Sequence, residues 1–425
     1  MMLYVSLLIF FVLLAFGAPV FLCMGCSSII WILFSDGIPG LVIAQKMYTA
    51  TDSFALMAIP FFMLAGQLME RTGITDSIVD FANSLVGHIR GGLALTCELA
   101  GILMGGISGS GNADCSALGS MLLPALEKSG YDEGFACSVV ASAANLAPII
   151  PPSIIMILYC NAAGLNIGEL FMAGFVPGLS CGILYMLVCH HYAKKKHIAV
   201  TPFQGFGYVW KTFKKAVFAL IMPVIIIGGI LFGIFTATEA GVAACVYGIV
   251  YGFLTRKLSI RDLKDSLQGA VVSTAGPVAL IAISSMFSYV LSREGVTTMI
   301  AEFCVSTFHS QSIMFLFVVA VCVVLGCFVD GTAIILLMTP ILVPIVQQMG
   351  FNLLQFSIIF MMAIMCGGLT PPVGATIFVV SGVQGTPISK ISKPILPFVG
   401  CVLIVTILLC VSTPYATFLP GLMGY

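Results

Sequence analysis

Uninterrupted apolar stretches recur along the whole chain, and no other feature limits the possible folds so tightly. Residues 3–34, 216–235 and 395–419 are each long enough to cross hydrocarbon, which takes about 20 predominantly apolar residues. Inside lipid the backbone must satisfy its own hydrogen bonds, so segments of this length cross as helices. The chain therefore reads as an all-α polytopic membrane protein. Composition supports this: 60% of the 425 residues are hydrophobic, 8% are charged, and mean hydropathy is +1.14. No soluble domain fits between the apolar stretches. Residues 1–34 exceed a cleavable signal and lack a basic leading region, so they read as a retained span kinked near Gly17 and Pro19. A net charge of +0 excludes a nucleic-acid partner on bulk electrostatics. The 15 cysteines, including Cys23 and Cys26 inside the first span, read as small apolar filler rather than a metal or redox site.

An internal repeat organises the chain. Arg71, Gly73, Ile78 and Phe81 recur as Arg293, Gly295, Ile300 and Phe303, an offset of 222 residues. Farther on the offset is 220: Gly106, Gly111, Ala113, Pro124, Pro151 and Pro152 fall on Gly326, Gly331, Ala333, Pro344, Pro371 and Pro372. Each repeat reads as an amphipathic surface helix, two apolar legs joined by a polar tip, and an apolar segment interrupted by Gly and Pro. The first tip lies in GGISGSGNADC, residues 105–115, and its SGN aligns with DGT at 330–332. The legs at 91–107 and 113–126 are short for full crossings, which predicts a re-entrant hairpin in each repeat. The interrupted segments, 135–161 and 353–380, carry NLAPIIPPS and GGLTPPVG, where proline removes backbone donors and frees carbonyls.

Charge placement gives orientation. Residues 193–215 hold six of the 17 basic residues, and Arg256, Lys257, Arg261 and Lys264 follow, so both loops are assigned to the cytoplasm. Arg90 and Lys128 flank the mouth of the first hairpin, whereas HSQS and QQMGFN at the second carry no Lys or Arg. The repeats are expected to be inverted, with about nine crossings plus the two hairpins.

Broken helices in corresponding positions of two halves are the sequence pointer to a transporter site near the midplane. Free carbonyls, among them those of Gly109, Pro148 and Gly374, would combine with Ser108, Ser110, Asn112, Asn145, Asp330, Thr332 and Thr370 as hard oxygen ligands for sodium ions. Helix N-termini after Asn112, Pro152 and Pro372 would present N–H groups to an anion. Each motif has a plainer explanation: close packing at the glycines, a kink at the prolines, hydroxyls bonded to the preceding turn. The matched pair of motifs is what favours a site. Asp330 stands out alone, since a carboxylate in apolar surroundings must be paired, ion-bound or in a cavity. Asp114 is placed to cap the second leg, and Glu98 and Glu239 are read as interhelical hydrogen-bond partners. A rival reading takes Gly106–x–Ser108–Gly109 as an intramembrane serine protease motif with Ser108 as nucleophile. It needs a histidine base, and His88, His190, His191, His197 and His309 all fall near interfaces or in the basic loop. A passive anion channel predicts flux without ion coupling.

The stretches TDSFALMAIPFFMLAGQLMERTGI (51–74), GGISGSGNADCSALGSMLLPALEKSGY (105–131), PIIPPSI (148–154), GIFTATEAG (233–241) and LTPPVG (369–374) resemble the large membrane subunit of tripartite ATP-independent periplasmic (TRAP) transporters. The resemblance covers nearly the whole chain. It implies a sodium-driven importer of an elevator type, not an enzyme, in a bacterial inner membrane. The substrate would be a small organic acid delivered by a periplasmic binding protein, either a sialic-acid-type sugar acid, to which overall resemblance points, or a C4-dicarboxylate. A small four-helix membrane subunit would accompany it as a separate polypeptide. By position, Ser108, Ser110, Ser153, Asp330 and Thr332 would meet the substrate, with Asn112 near sodium or substrate. The motif ANLAP at 144–148 departs from the family's usual small hydroxyl residues, and Asn145 would replace them as a ligand. The implied division is scaffold spans at 1–70, repeat 1 at 71–165, scaffold spans at 166–292, repeat 2 at 293–385 and a C-terminal span at 386–425, with the hairpins and broken helices forming the moving part.

Overall fold

The computed structural model describes residues 2–35, 37–308, 310–372 and 374–424; His309 lies outside them. Among the described residues every regular element is helical. Six helices are long and apolar enough to cross a membrane, and the bent pair Leu396–Val411 and Thr413–Leu422, with 78° between its parts, would make a seventh. The amino-terminal stretch is two helices rather than one kinked span. Met2–Ala15 and Val20–Phe34 fold back on each other, and the Ser6 hydroxyl donates to the Ser27 carbonyl at 3.0 Å. Gly17 adopts φ 76°, open to glycine, and Pro19 cannot donate to the helix it opens, so the chain reverses there.

The repeat seen in the sequence is a repeat of packing. The first helical pair is Gly92–Ser108 and Gly111–Lys128, followed by an interrupted segment with halves Glu133–Ala144 and Ile154–Ala163. The second pair is Gln311–Gly326 and Gly331–Gln348, and the halves of its interrupted segment are Leu353–Gly368 and Ala375–Gln384. A Cβ on Gly111 would stand 3.0 Å from the Ala144 carbonyl oxygen, and one on Gly331 would stand 2.7 Å from Ile364 Cγ2. These are the same two repeat positions, so each pair locks onto its own interrupted segment by the same close approach. Asn145 joins the repeats, donating from Nδ2 to the Met365 carbonyl at 3.1 Å. Ser357 donates to the Tyr159 hydroxyl at 2.9 Å, and Thr386 and Lys390 both reach Glu133 at 2.7 Å.

Ile167–Lys195 and Leu396–Val411 pack on this doubled unit. The first lies along Gly92–Ser108, and the second along Leu353–Gly368, where Gln355 donates to the Leu409 carbonyl at 2.6 Å. The other body contains Ala58–Arg71, Phe206–Leu231, Ala237–Leu254 and the 34-residue helix Ile260–Arg293. Arm helices Ile74–Val86 and Val296–Thr307 bridge the two bodies. Two polar assignments change. Glu239 belongs to a capping box with Thr236, a local contact rather than an interhelical one. Asp114 caps nothing: the helix begins three residues earlier, and the carboxylate is buried. Glu98 is interhelical as expected, accepting from Ser142 Oγ at 2.6 Å.

Candidate functional site

The two tips and the two interruptions surround one chamber of about 120 Å³. The first tip turns at Gly109, whose φ of 60° ends the leg Gly92–Ser108. A Cβ there would also lie 2.9 Å from the Pro152 carbonyl oxygen, so the tip sits directly on the first interruption. The second tip turns at Asp330, which N-caps Gly331–Gln348 by accepting the Thr332 N–H at 2.9 Å.

The opening residues of four helices line the chamber: Gly111 and Asn112, Ile154 and Ile155, Gly331 and Thr332, Ala375 and Thr376. The positive ends of four helix dipoles therefore converge on one space, two of them already capped by Ser153 and Asp330. Asp330 is the one ionisable group among the described lining residues. The rest of the polar lining is hydroxyl or amide, and no thiol or imidazole is among the described lining residues. Asn145 Oδ1 and Thr376 Oγ1 converge as well, lying 3.7 and 3.6 Å from a Cβ built on Gly368. This donor set, hard oxygen only, fits an alkali cation. The four helix ends fit an anion, with no basic side chain needed.

The chamber gathers Gly109, Ser110, Asn112, Asn145, Pro148, Asp330 and Thr332 from the residues selected by sequence. Four others lie elsewhere. Ser153 is fully buried and committed: its hydroxyl donates to the Pro148 carbonyl at 2.8 Å and accepts the Met156 N–H at 3.3 Å, holding the interruption rather than facing the chamber. Thr370 donates back to the Cys366 carbonyl at 2.6 Å. Gly374 donates to the Cys327 carbonyl at 3.2 Å, and a Cβ on it would lie 2.7 and 3.1 Å from the Gly368 and Thr370 oxygens, so it braces the second interruption. Peptides Pro151–Pro152 and Pro371–Pro372 are both cis. Ser108 accepts the Ser110 N–H at 3.2 Å and lines a second cavity, of about 160 Å³, which runs from the tip past Ala58–Arg71 to the arm helix Ile74–Val86. The two cavities share Met63 and Ser110. Sequence reasoning missed the apolar walls Met63, Pro277, Met361 and Met365, which look like any span, and Thr376, whose repeat counterpart is Met156.

The family described as "Tripartite ATP-independent periplasmic transporter, DctM component" matches residues 7–415. The chain belongs to the DctM family of TRAP transporters. DctM relatives include a putative TRAP transporter large permease of Haemophilus influenzae, 34% identical over 95% of both chains. Others are the sialic acid large permease SiaM of Vibrio cholerae, 34% identical over 90% of each, and the C4-dicarboxylate large permease DctM of Pseudomonas aeruginosa, 34% identical over 94% of each. Among solved structures, the YdaH transporter of Alcanivorax borkumensis shares the fold, with a TM-score of 0.66 and 15% identity over 89% of each chain. As a DctM member the chain is a multi-pass membrane permease and not an enzyme, so Ser108 is no protease nucleophile.

Proposed function

We propose that this chain carries out sodium-coupled uptake of a small organic acid through a bacterial inner membrane. The supporting observation is the chamber itself, where four helix N-termini suited to a carboxylate surround hard oxygens suited to sodium, Asp330 among them. An anion and its coupling cations share one cage in this reading, each lowering the electrostatic cost of the other. The substrate is a sugar acid or a dicarboxylate, as in relatives named for sialic acid and C4-dicarboxylates. A periplasmic binding protein delivers it, and a small membrane subunit holds the scaffold.

The helical pairs act as re-entrant hairpins of inverted topology, and the doubled unit moves as an elevator. The first tip rests against Gly66, where a Cβ would lie 3.7 Å from Ser108 Cα. Both tips share the chamber with Pro277 of the long helix Ile260–Arg293. In this reading the cavity that leads past Glu70 to the arm helix Ile74–Val86 is the inward-facing opening. Uptake into proteoliposomes is expected to need an inward sodium gradient; full uptake driven by protons alone, or flux independent of both ions, overturns the coupling.

A further inference from the structure

Asp114 is the least explained charge in the molecule. It is 1% exposed, its Oδ2 has no hydrogen-bond partner, and it lines the cavity between the first tip and Ala58–Arg71. A buried carboxylate oxygen without a donor is costly, so Oδ2 is left open to a further ligand, while Ser108 is the side chain that reaches the same carboxyl group. The cavity wall offers a second carboxylate, Glu70, together with Ser108, Ser110, Gln67 and Ser273. No basic side chain is among the described lining residues. Arg71, the nearest cation in sequence, turns instead to Asp262 and Asp265 at 3.5 and 3.8 Å. The volume, about 160 Å³, holds an ion with several waters, each taking about 30 Å³.

We propose that Asp114, with Glu70 and Ser108, forms a cation site on the cytoplasmic release route, separate from the central chamber. Its ligand is a small hard monovalent cation, sodium in the transport cycle. The site receives a sodium ion leaving the central chamber past Ser110 and Met63, the two residues that both cavities share. Glu70, the exposed carboxylate of the cavity wall, draws the ion onward to the cytoplasm. Negative charge on this route also disfavours return of the anionic substrate, so release acquires a direction. The inference rests on the sodium-coupled reading above.

The test places a thiol in this cavity by Ser273→Cys, in the full chain assembled with its small subunit. Alkylation by N-ethylmaleimide is followed at that position by mass spectrometry, in sodium, potassium or choline chloride at equal ionic strength. Sodium is expected to slow alkylation several-fold relative to choline. Adding Asp114→Asn removes this protection, Glu70→Gln shifts it to higher sodium concentration, and Asp330→Asn in the central chamber leaves it in place. Protection that survives Asp114→Asn, or is lost only with Asp330→Asn, overturns the site. Equal protection by potassium overturns the sodium assignment. Uptake that never responds to sodium removes the functional reading, whereas normal coupling with no protection at this thiol removes the site alone.

Discussion

At Asp330 two roles are superposed on one side chain: Oδ1 accepts the Thr332 N–H and closes the helix start, while the residue supplies the only charge among the described lining of the chamber. Substitution separates them. Asn caps a helix about as well as Asp, so Asp330→Asn keeps the turn and removes the charge. Uptake is expected to fall at least about tenfold, the effect of roughly 1.4 kcal/mol of lost ion binding, with an unchanged melting temperature. Asp330→Ala loses the cap too and destabilises by about 1 kcal/mol. Wild-type uptake by Asp330→Asn removes the residue from the site. The same local chemistry limits what a sequence reveals. Asp330 and Asn145 were legible because a costly group in apolar surroundings needs a reason. Ser153 was not, because a hydroxyl beside two prolines has the same spelling whether it faces a ligand or braces its own loop, and here it braces the loop.

Among the elements, glycine spacing decides how closely the legs approach the interrupted segments. A Cβ on Gly101 would stand 2.5 Å from the Ala143 carbonyl oxygen, and neither backbone can retreat without opening the tip below. Gly101→Ala is expected to destabilise by roughly 1–3 kcal/mol, read as a lower melting temperature; an unchanged one would mean that the legs are free to separate. Just before Glu133–Ala144, Asp132 pairs with Lys196 at 2.8 Å and accepts from the Tyr192 hydroxyl, and these partners hold its carboxyl below the usual range. A lowered folded-state value contributes stability above the ordinary Asp range and loses it as pH falls through the lowered value. The pair is exposed, so it is worth at most about 1 kcal/mol. The melting difference between parent and Asp132→Asn should stay constant from about pH 8 to about pH 5, begin to shrink near about pH 4, and vanish only below the lowered value. A difference that grows on acidification would assign the stabilisation to another group.

The whole molecule divides where its contacts thin, which hydropathy could not indicate. The repeat located both tips and both interruptions from sequence, because identical spacing of Gly and Pro survives where the residues between have drifted. Ile167–Lys195 continues the repeat, Pro177 and Cys181 falling on Pro397 and Cys401 at the offset of 220, but its apolar spelling is that of the spans of the opposite body; its packing on Gly92–Ser108 reveals which it joins. Inverted topology has a direct check at this scale. Ser129 and Gln348 are exposed at the mouths of the first and second helical pairs, and Ser129→Cys and Gln348→Cys should label from opposite membrane faces with an impermeant thiol reagent. Background labelling is low, since 14 of the 15 cysteines are buried and only Cys26 is exposed. Labelling of both from one face of intact cells removes the inversion, and the elevator reading falls with it.

The bond from Asn145 to the Met365 carbonyl also sets a schedule. Donor and acceptor are 220 residues apart, and at about 5–20 residues per second a ribosome delivers the second roughly 10 to 40 s after the first. For that interval the first half of the cage stands in the membrane with its broken backbone unpartnered. Completion waits on the second half, so a chain stalled before residue 365 leaves a half-site that the bilayer penalises and quality control can recognise.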